Sequence, residues 1–150
     1  MRLNEICSIE IRDIKEAEGV RYFDVPKGKT ESSVRVVPVH HALAPLIDDL
    51  APERGHLFPL LKPATIDGKR GAQIGKVLGR RFKRIEGGST FHGFRKNVAE
   101  AFERARVPET EAAQILGHKK AGMTYGVYSP RGLTIAQKRD LIHLLSLPSP

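Results

Sequence analysis

The pattern of hydrophobic and polar positions changes character along the chain. Up to about residue 40, short apolar runs alternate with polar residues at period two, the signature of strands lying on a core. Beyond residue 70 the apolar residues recur every three or four positions, the signature of amphipathic helices. After a first helical segment ending near Cys7, three strands are predicted: Ile9 to Ile14, Val20 to Val25 and Ser33 to Val39. Gly19 separates the first two, and "PKGKTESS" separates the second and third. "HHALAPLIDDL" predicts a helix with Pro45 near its first turn. Residues 51–70, rich in Pro and Gly, read as loop.

Four further helices follow. Over Ala72 to Glu86, Ile74, Leu78, Phe82 and Ile85 form one apolar stripe, and Lys76, Arg80, Lys83 and Arg84 fall opposite. Over Gly93 to Ala105, Phe94, Val98, Ala101, Phe102 and Ala105 are expected to face inward. Pro108 opens the next helix with Glu109 and Glu111 in its first turn, and Gly117 ends it as a C-terminal glycine does. The last helix is expected from Leu133 to Leu145, with a frayed tail. The expected fold is α+β and mainly helical, with a small three-stranded antiparallel sheet near the N-terminus packed with a helical core. The opening "MRLNEICSIE" reads as the middle of a helix without cap or lead-in, which predicts a chain cut from a longer protein.

Composition narrows the function classes. The 150 residues fit one domain, and 25 Lys+Arg against 17 Asp+Glu give a formal charge of +8, which favours a polyanionic partner. A single cysteine excludes a disulfide framework and makes a reducing, intracellular setting the default. No apolar run reaches membrane-spanning length.

The candidate chemical groups sit at element boundaries. Taken singly, each has a plain reading. Arg95 reads as a solvated arginine, although an arginine fork beside helix N-terminal amides also makes an anion site. His92 reads as a loop or capping histidine, or as a donor to a phosphate oxygen. His118 follows the glycine that ends a helix. Tyr125 and Tyr128 read as packing residues, or as nucleophiles if cations surround them. Lys27 and Lys29 fit a solvated turn. The face carrying Lys76, Arg80, Lys83 and Arg84 fits either a solvated helix surface or one that tracks a DNA backbone. The spacing of His92 and His118, with no cysteine between them and no HxxxH, argues against zinc.

Order and spacing change that balance. "MRLNEI", "KTESSVRVVPV", "HGFRK", "ILGH" and "MTYGVYS" together resemble the catalytic domain of tyrosine recombinases of the phage integrase family. They are similar, in turn, to its first-arginine motif, its strand-turn-strand segment with the active-site lysine, its His-x-x-Arg box, its leucine-glycine-histidine box and its tyrosine segment. The resemblance spans residues 2 to 128. It implies that 1–150 is this catalytic domain, incomplete at its N-terminus and without the separate clamp domain that binds DNA.

The resemblance also implies roles. Arg2 and Arg95 would neutralise the non-bridging oxygens of a phosphodiester, and His118 would add a hydrogen bond to them. Tyr128, ten residues after His118, would attack phosphorus and hold the DNA 3′ end, while Tyr125 is left to packing. Lys29, closer than Lys27 to the "VVPV" strand, would protonate the departing 5′ oxygen. His92 would move a proton or hold the phosphate, and Glu5 would orient a neighbour. No metal and no cofactor is implied. The implied partners are double-stranded DNA and further copies of the chain, in a tetrameric synapse, at a DNA-associated, cytoplasmic location. A remnant that binds DNA without cutting it, and a basic structural or RNA-binding domain, are the competing expectations. A type IB topoisomerase shares related chemistry, but the boxes look more like an integrase.

Overall fold

The computed structural model describes residues 1–25, 34–84, 90–118 and 132–147. Among these residues there are six α-helices and one three-stranded antiparallel sheet near the N-terminus, an α+β, mainly helical fold.

Helix α1 spans Leu3–Cys7. Its N-cap residue is Arg2, whose backbone N–H donates to the Glu5 carboxylate at 2.6 Å, which satisfies an amide the helix itself leaves free. Strand β1 runs Ile14–Ala17, β2 Val20–Val25 and β3 Arg35–Pro38, in the order β1-β2-β3. The first strand thus begins where the period-two pattern predicted its end. Residues 9–13 are taken by other partners. Ile11 donates to the Gly55 carbonyl, and Leu57 donates to the Ile9 carbonyl at 2.9 Å. The Asp13 carboxylate accepts from Glu10 N–H at 3.0 Å and folds Ile11–Asp13 into a 3-10 turn. Glu18 (φ 54°) and Gly19 (φ 69°) then make the two-residue turn joining β1 to β2, with Ala17 opposite Val20.

Helix α2 (Ala44–Leu50) carries Pro45 in its first turn. Helix α3 spans Gly71–Phe82, shorter than the stripe predicted, and Lys83 and Arg84 lie just past its end. There the backbone tightens, Arg84 N–H donating to the Arg81 carbonyl at 3.1 Å. Helix α4 spans Phe91–Arg104, capped by Thr90, whose hydroxyl accepts from Gly93 N–H. Helix α5 spans Glu109–Leu116, and α6 spans Ile135–His143 behind a Thr134–Gln137 capping box.

The core lies between the sheet and helices α4, α5 and α6. Val25, Val37, Phe102, Ile115 and Ile142 are its buried centre, and Phe102 is only 1% exposed. Two residues expected to face inward do not. Ala105 is exposed, and Phe94 is 51% exposed. The first turn of α4 meets the end of α3, so Phe94 stacks edge-on against Phe82 at 5.4 Å instead of covering the sheet.

Two junctions position the N-terminal segment. Gly71 opens α3 against α1, where an added Cβ would come within 3.2 Å of Asn4 Cα, and Gly71 N–H donates to the Asn4 side chain at 3.1 Å. Arg70 donates to the carbonyls of Cys7 and Phe58, tying the end of α1 to the loop below it. Residues 1–7 are therefore held by packing against α3 and not left to fray.

Candidate functional site

Arg2 and Glu5 come from the start of α1. Arg2 Nη1 lies 2.9 Å from Glu5 Oε1, so one carboxylate caps the helix and pairs with the cation. The other partner of Glu5 is Arg35, at the start of β3. Arg35 Nη2 reaches Glu5 Oε2 at 3.0 Å, and Nη1 reaches Oε1 at 3.4 Å. Burial opposes the charge on Glu5, but the bonds from Arg35 and Arg2 dominate and bring its carboxyl down to about 2.

The far side of the site is the C-terminal end of α5. Gly117 there has φ 72°, the left-handed conformation that closes a helix, and both Gly117 and His118 N–H donate to the Ala113 carbonyl. Arg35 Nε donates to the Ile115 carbonyl at 3.0 Å, and Arg95 Nη2 donates to the Leu116 carbonyl. Two guanidinium groups thus take consecutive carbonyls at the negative end of one helix dipole. That arrangement draws Arg95, from α4, to the corner that presents His118.

Electrostatics show which groups share this corner. Arg95 has a pKa below the usual arginine value, first because it is desolvated and then because Arg2 and Arg35 repel its charge. His118 is lowered too, by desolvation first and then by Arg95, Arg2 and Arg35. It is exposed, so its imidazole is reachable from solvent, and the lowered pKa favours its neutral form. Around Arg95, the guanidinium groups of Arg2, Arg35 and Arg95 itself face the single carboxylate of Glu5, an excess of two positive charges. Arg95 Nη1 is buried with no hydrogen-bond partner among the described residues. A buried guanidinium donor of this kind, in positive surroundings, is a place for an anion.

The other sequence candidates fall as follows. His92 is an exposed residue in the first turn of α4, not a residue ahead of it, and Arg95 lies one turn further in. The two share a helix face by their three-residue spacing. Lys76, Arg80, Lys83 and Arg84 are all exposed, and none is ion-paired among the described residues. Lys29 and its alternative Lys27 lie outside the described residues, as do Tyr128 and Tyr125. Among the described residues no group of three His, Cys, Asp or Glu could hold a metal ion, and no helix is long and apolar enough to cross a membrane.

Sequence reasoning missed Arg35, whose side chain is 4% exposed. The signal was present in "VRVVPV": Arg35 alternates with Val37 and Val39, so a charge falls on the inward face of a strand.

The sequence model of the family described as "Phage integrase family" matches residues 1–131. No curated protein matches the chain. No solved structure matches it.

Proposed function

The chain belongs to the phage integrase family, and from that premise we propose that the corner formed by Arg2, Arg95 and His118 binds the scissile phosphodiester of double-stranded DNA. Membership supports site-specific recombination in general, a reaction carried out on DNA. The observation that carries the finer reading is the buried, unpartnered Nη1 of Arg95 beside two further arginines.

A phosphodiester already carries a negative charge, which repels a nucleophile. Arg2 and Arg95 offset that charge and the further charge that builds in the transition state. Neutral His118 donates one N–H to the same oxygens. The Tyr128 phenol oxygen attacks phosphorus and gives up its proton, which His92 accepts. The bond to the 5′ oxygen breaks, and Lys29 protonates that oxygen as it leaves. The 3′ end is then held as a phosphotyrosine. A 5′-hydroxyl from a second strand reverses these steps, so no external energy source is required. Glu5 holds Arg2 and does not react. Residues 1–150 act in this reading as the catalytic domain, and further copies assemble on the DNA into a tetrameric synapse.

The full-length protein, mixed with a pool of random-sequence duplexes carrying a nick, tests this. The nick lets the cut fragment diffuse away and traps the intermediate. The expected result is a protein–DNA adduct that survives denaturation and maps to Tyr128 by mass spectrometry. DNA binding without any adduct supports the non-cutting remnant instead. An adduct on Tyr125 moves the nucleophile.

A further inference from the structure

We propose that Arg35 is a positioning residue that sets the spacing of Arg2, Arg95 and His118, by clamping α1 to the C-terminal corner of α5. The inference rests on the functional reading above for its catalytic consequence.

Arg35 makes two kinds of contact at once. Its Nη1 and Nη2 fork onto the Glu5 carboxylate, and its Nε donates to the Ile115 carbonyl at 3.0 Å. Glu5 in turn holds Arg2 through both backbone and side chain. Gly117 lies directly against the same guanidinium: an added Cβ would sit 2.8 Å from Arg35 Cζ and Nη1. One rigid planar group therefore fixes the carboxylate that aims Arg2 and the turn that aims His118. It also fixes the helix end whose next carbonyl, that of Leu116, receives Arg95.

Burial separates this role from that of a ligand-binding cation. The Arg35 side chain is 4% exposed and sits behind the corner. A lysine keeps the charge but cannot copy the planar fork or supply the Nε bond at the same time. The substitution Arg35→Lys therefore distinguishes a positional role from a purely electrostatic one.

The test uses the full-length protein, the nicked random-sequence duplex pool and inorganic phosphate. For Arg35→Lys, DNA affinity is expected to stay near the wild-type value. The single-turnover rate of adduct formation is expected to fall about 100-fold, the usual consequence of a displacement near 1 Å. The His118 imidazole resonances should shift, and their response to inorganic phosphate should weaken. A folded Arg35→Lys protein with a wild-type adduct rate overturns the proposal, as does a rate loss that only follows the loss of folded protein. Should Arg35→Lys fail to fold, Glu5→Gln probes the other end of the clamp with little change of shape. His118 resonances that move in Glu5→Gln support the clamp, and resonances that stay in place overturn it. A wild-type protein that forms no adduct sinks the functional reading. The His118 comparison still decides the positioning role.

Discussion

Glu5 and Arg35, thirty residues apart, face each other with side chains 6% and 4% exposed, Arg35 Nη2 lying 3.0 Å from Glu5 Oε2. A buried ion pair is weak evidence for stability, because desolvating two charges offsets much of their attraction. Here the pair is extended on both sides, to Arg2 and to the Ile115 carbonyl, so each charged group is bonded beyond its partner. Removing one partner nevertheless leaves the other buried and uncompensated. Glu5→Ala is expected to cost about 3–5 kcal/mol in urea unfolding at neutral pH.

The same pair sets an acid limit. The Glu5 carboxyl falls from an ordinary 4.5 to about 2 on folding. A depressed folded value means stability that is fully present above about 4.5 and is lost as pH falls towards 2. Over that window the contribution is about 3 kcal/mol, on the usual conversion of pKa shift to energy. Unfolding midpoints measured from pH 6 down to pH 2 should fall steeply in the wild type and more shallowly in Glu5→Gln. Parallel curves for the two proteins would remove Glu5 as the cause.

His118 is held neutral by desolvation and by the surrounding arginines, Arg95 foremost among them. Its NMR titration midpoint should lie below that of an ordinary histidine. Arg95→Met should raise it by removing a repelling charge. Inorganic phosphate should raise it in the wild type, because a bound anion favours the imidazolium, and should do so far less in Arg95→Met. A wild-type midpoint that ignores phosphate argues that the corner is not an anion site.

Gly117 and Gly19 both have φ near +70°, but they differ in surroundings. Nothing lies within 4 Å of a Cβ added at Gly19, whereas at Gly117 it would strike the Arg35 guanidinium. Gly19→Ala should show the backbone strain alone, about 1 kcal/mol. Gly117→Ala should add the displacement of a buried, hydrogen-bonded arginine and cost about 2–4 kcal/mol. Equal losses in thermal or urea melts would mean that Arg35 moves aside freely.

Much of this arrangement was legible from local pattern. The two kinds of periodicity gave the sheet and the helices, because one buried face imposes its period on the sequence. Gly117 was readable as a helix stop because only a left-handed residue closes α5 that way. What failed were features decided by tertiary partners. Ile9 to Ile14 has strand character, but the loop at Gly55 and Leu57 captures its first half. Phe94 fits the inward stripe of α4, but the core ends before it. Arg35 was overlooked because its role depends on Glu5 and Ile115, neither of which is near it in sequence. The convergence of Arg2, Arg95 and His118 likewise joins three separate elements, and no spacing rule within one element can express it.

In the proposed mechanism Lys29 protonates the departing 5′ oxygen, with Lys27 as its alternative. A DNA strand ending in a 3′-(p-nitrophenyl) phosphate distinguishes them, because p-nitrophenolate leaves as a stable anion without a proton. Lys29→Ala should slow adduct formation on ordinary DNA by about 100-fold or more, the usual scale of general acid catalysis, and should barely affect the p-nitrophenyl substrate. If Lys27→Ala shows that contrast instead, the acid is Lys27. Equal losses on both substrates would mean that the lysine binds the phosphate and does not deliver a proton.

The exposed cations Lys76, Arg80, Lys83 and Arg84 fit either a solvated helix surface or one that tracks the DNA backbone, and salt dependence separates the two. Helix α3, which carries the first two, packs directly on the helix that presents Arg2 and Glu5. Phosphate contacts release counterions, and each contact contributes about 0.9 to the slope of log affinity against log salt. Replacing each of the four by Gln should therefore weaken DNA binding at low salt and flatten the slope by about 0.9 per residue that touches a phosphate. The loss should be nearly the same on unrelated duplexes, since backbone contacts carry no base information. Fluorescence anisotropy across a salt series gives both quantities. If the slope is unchanged while α3 stays folded, the four cations only solvate the helix and the DNA track lies on another face.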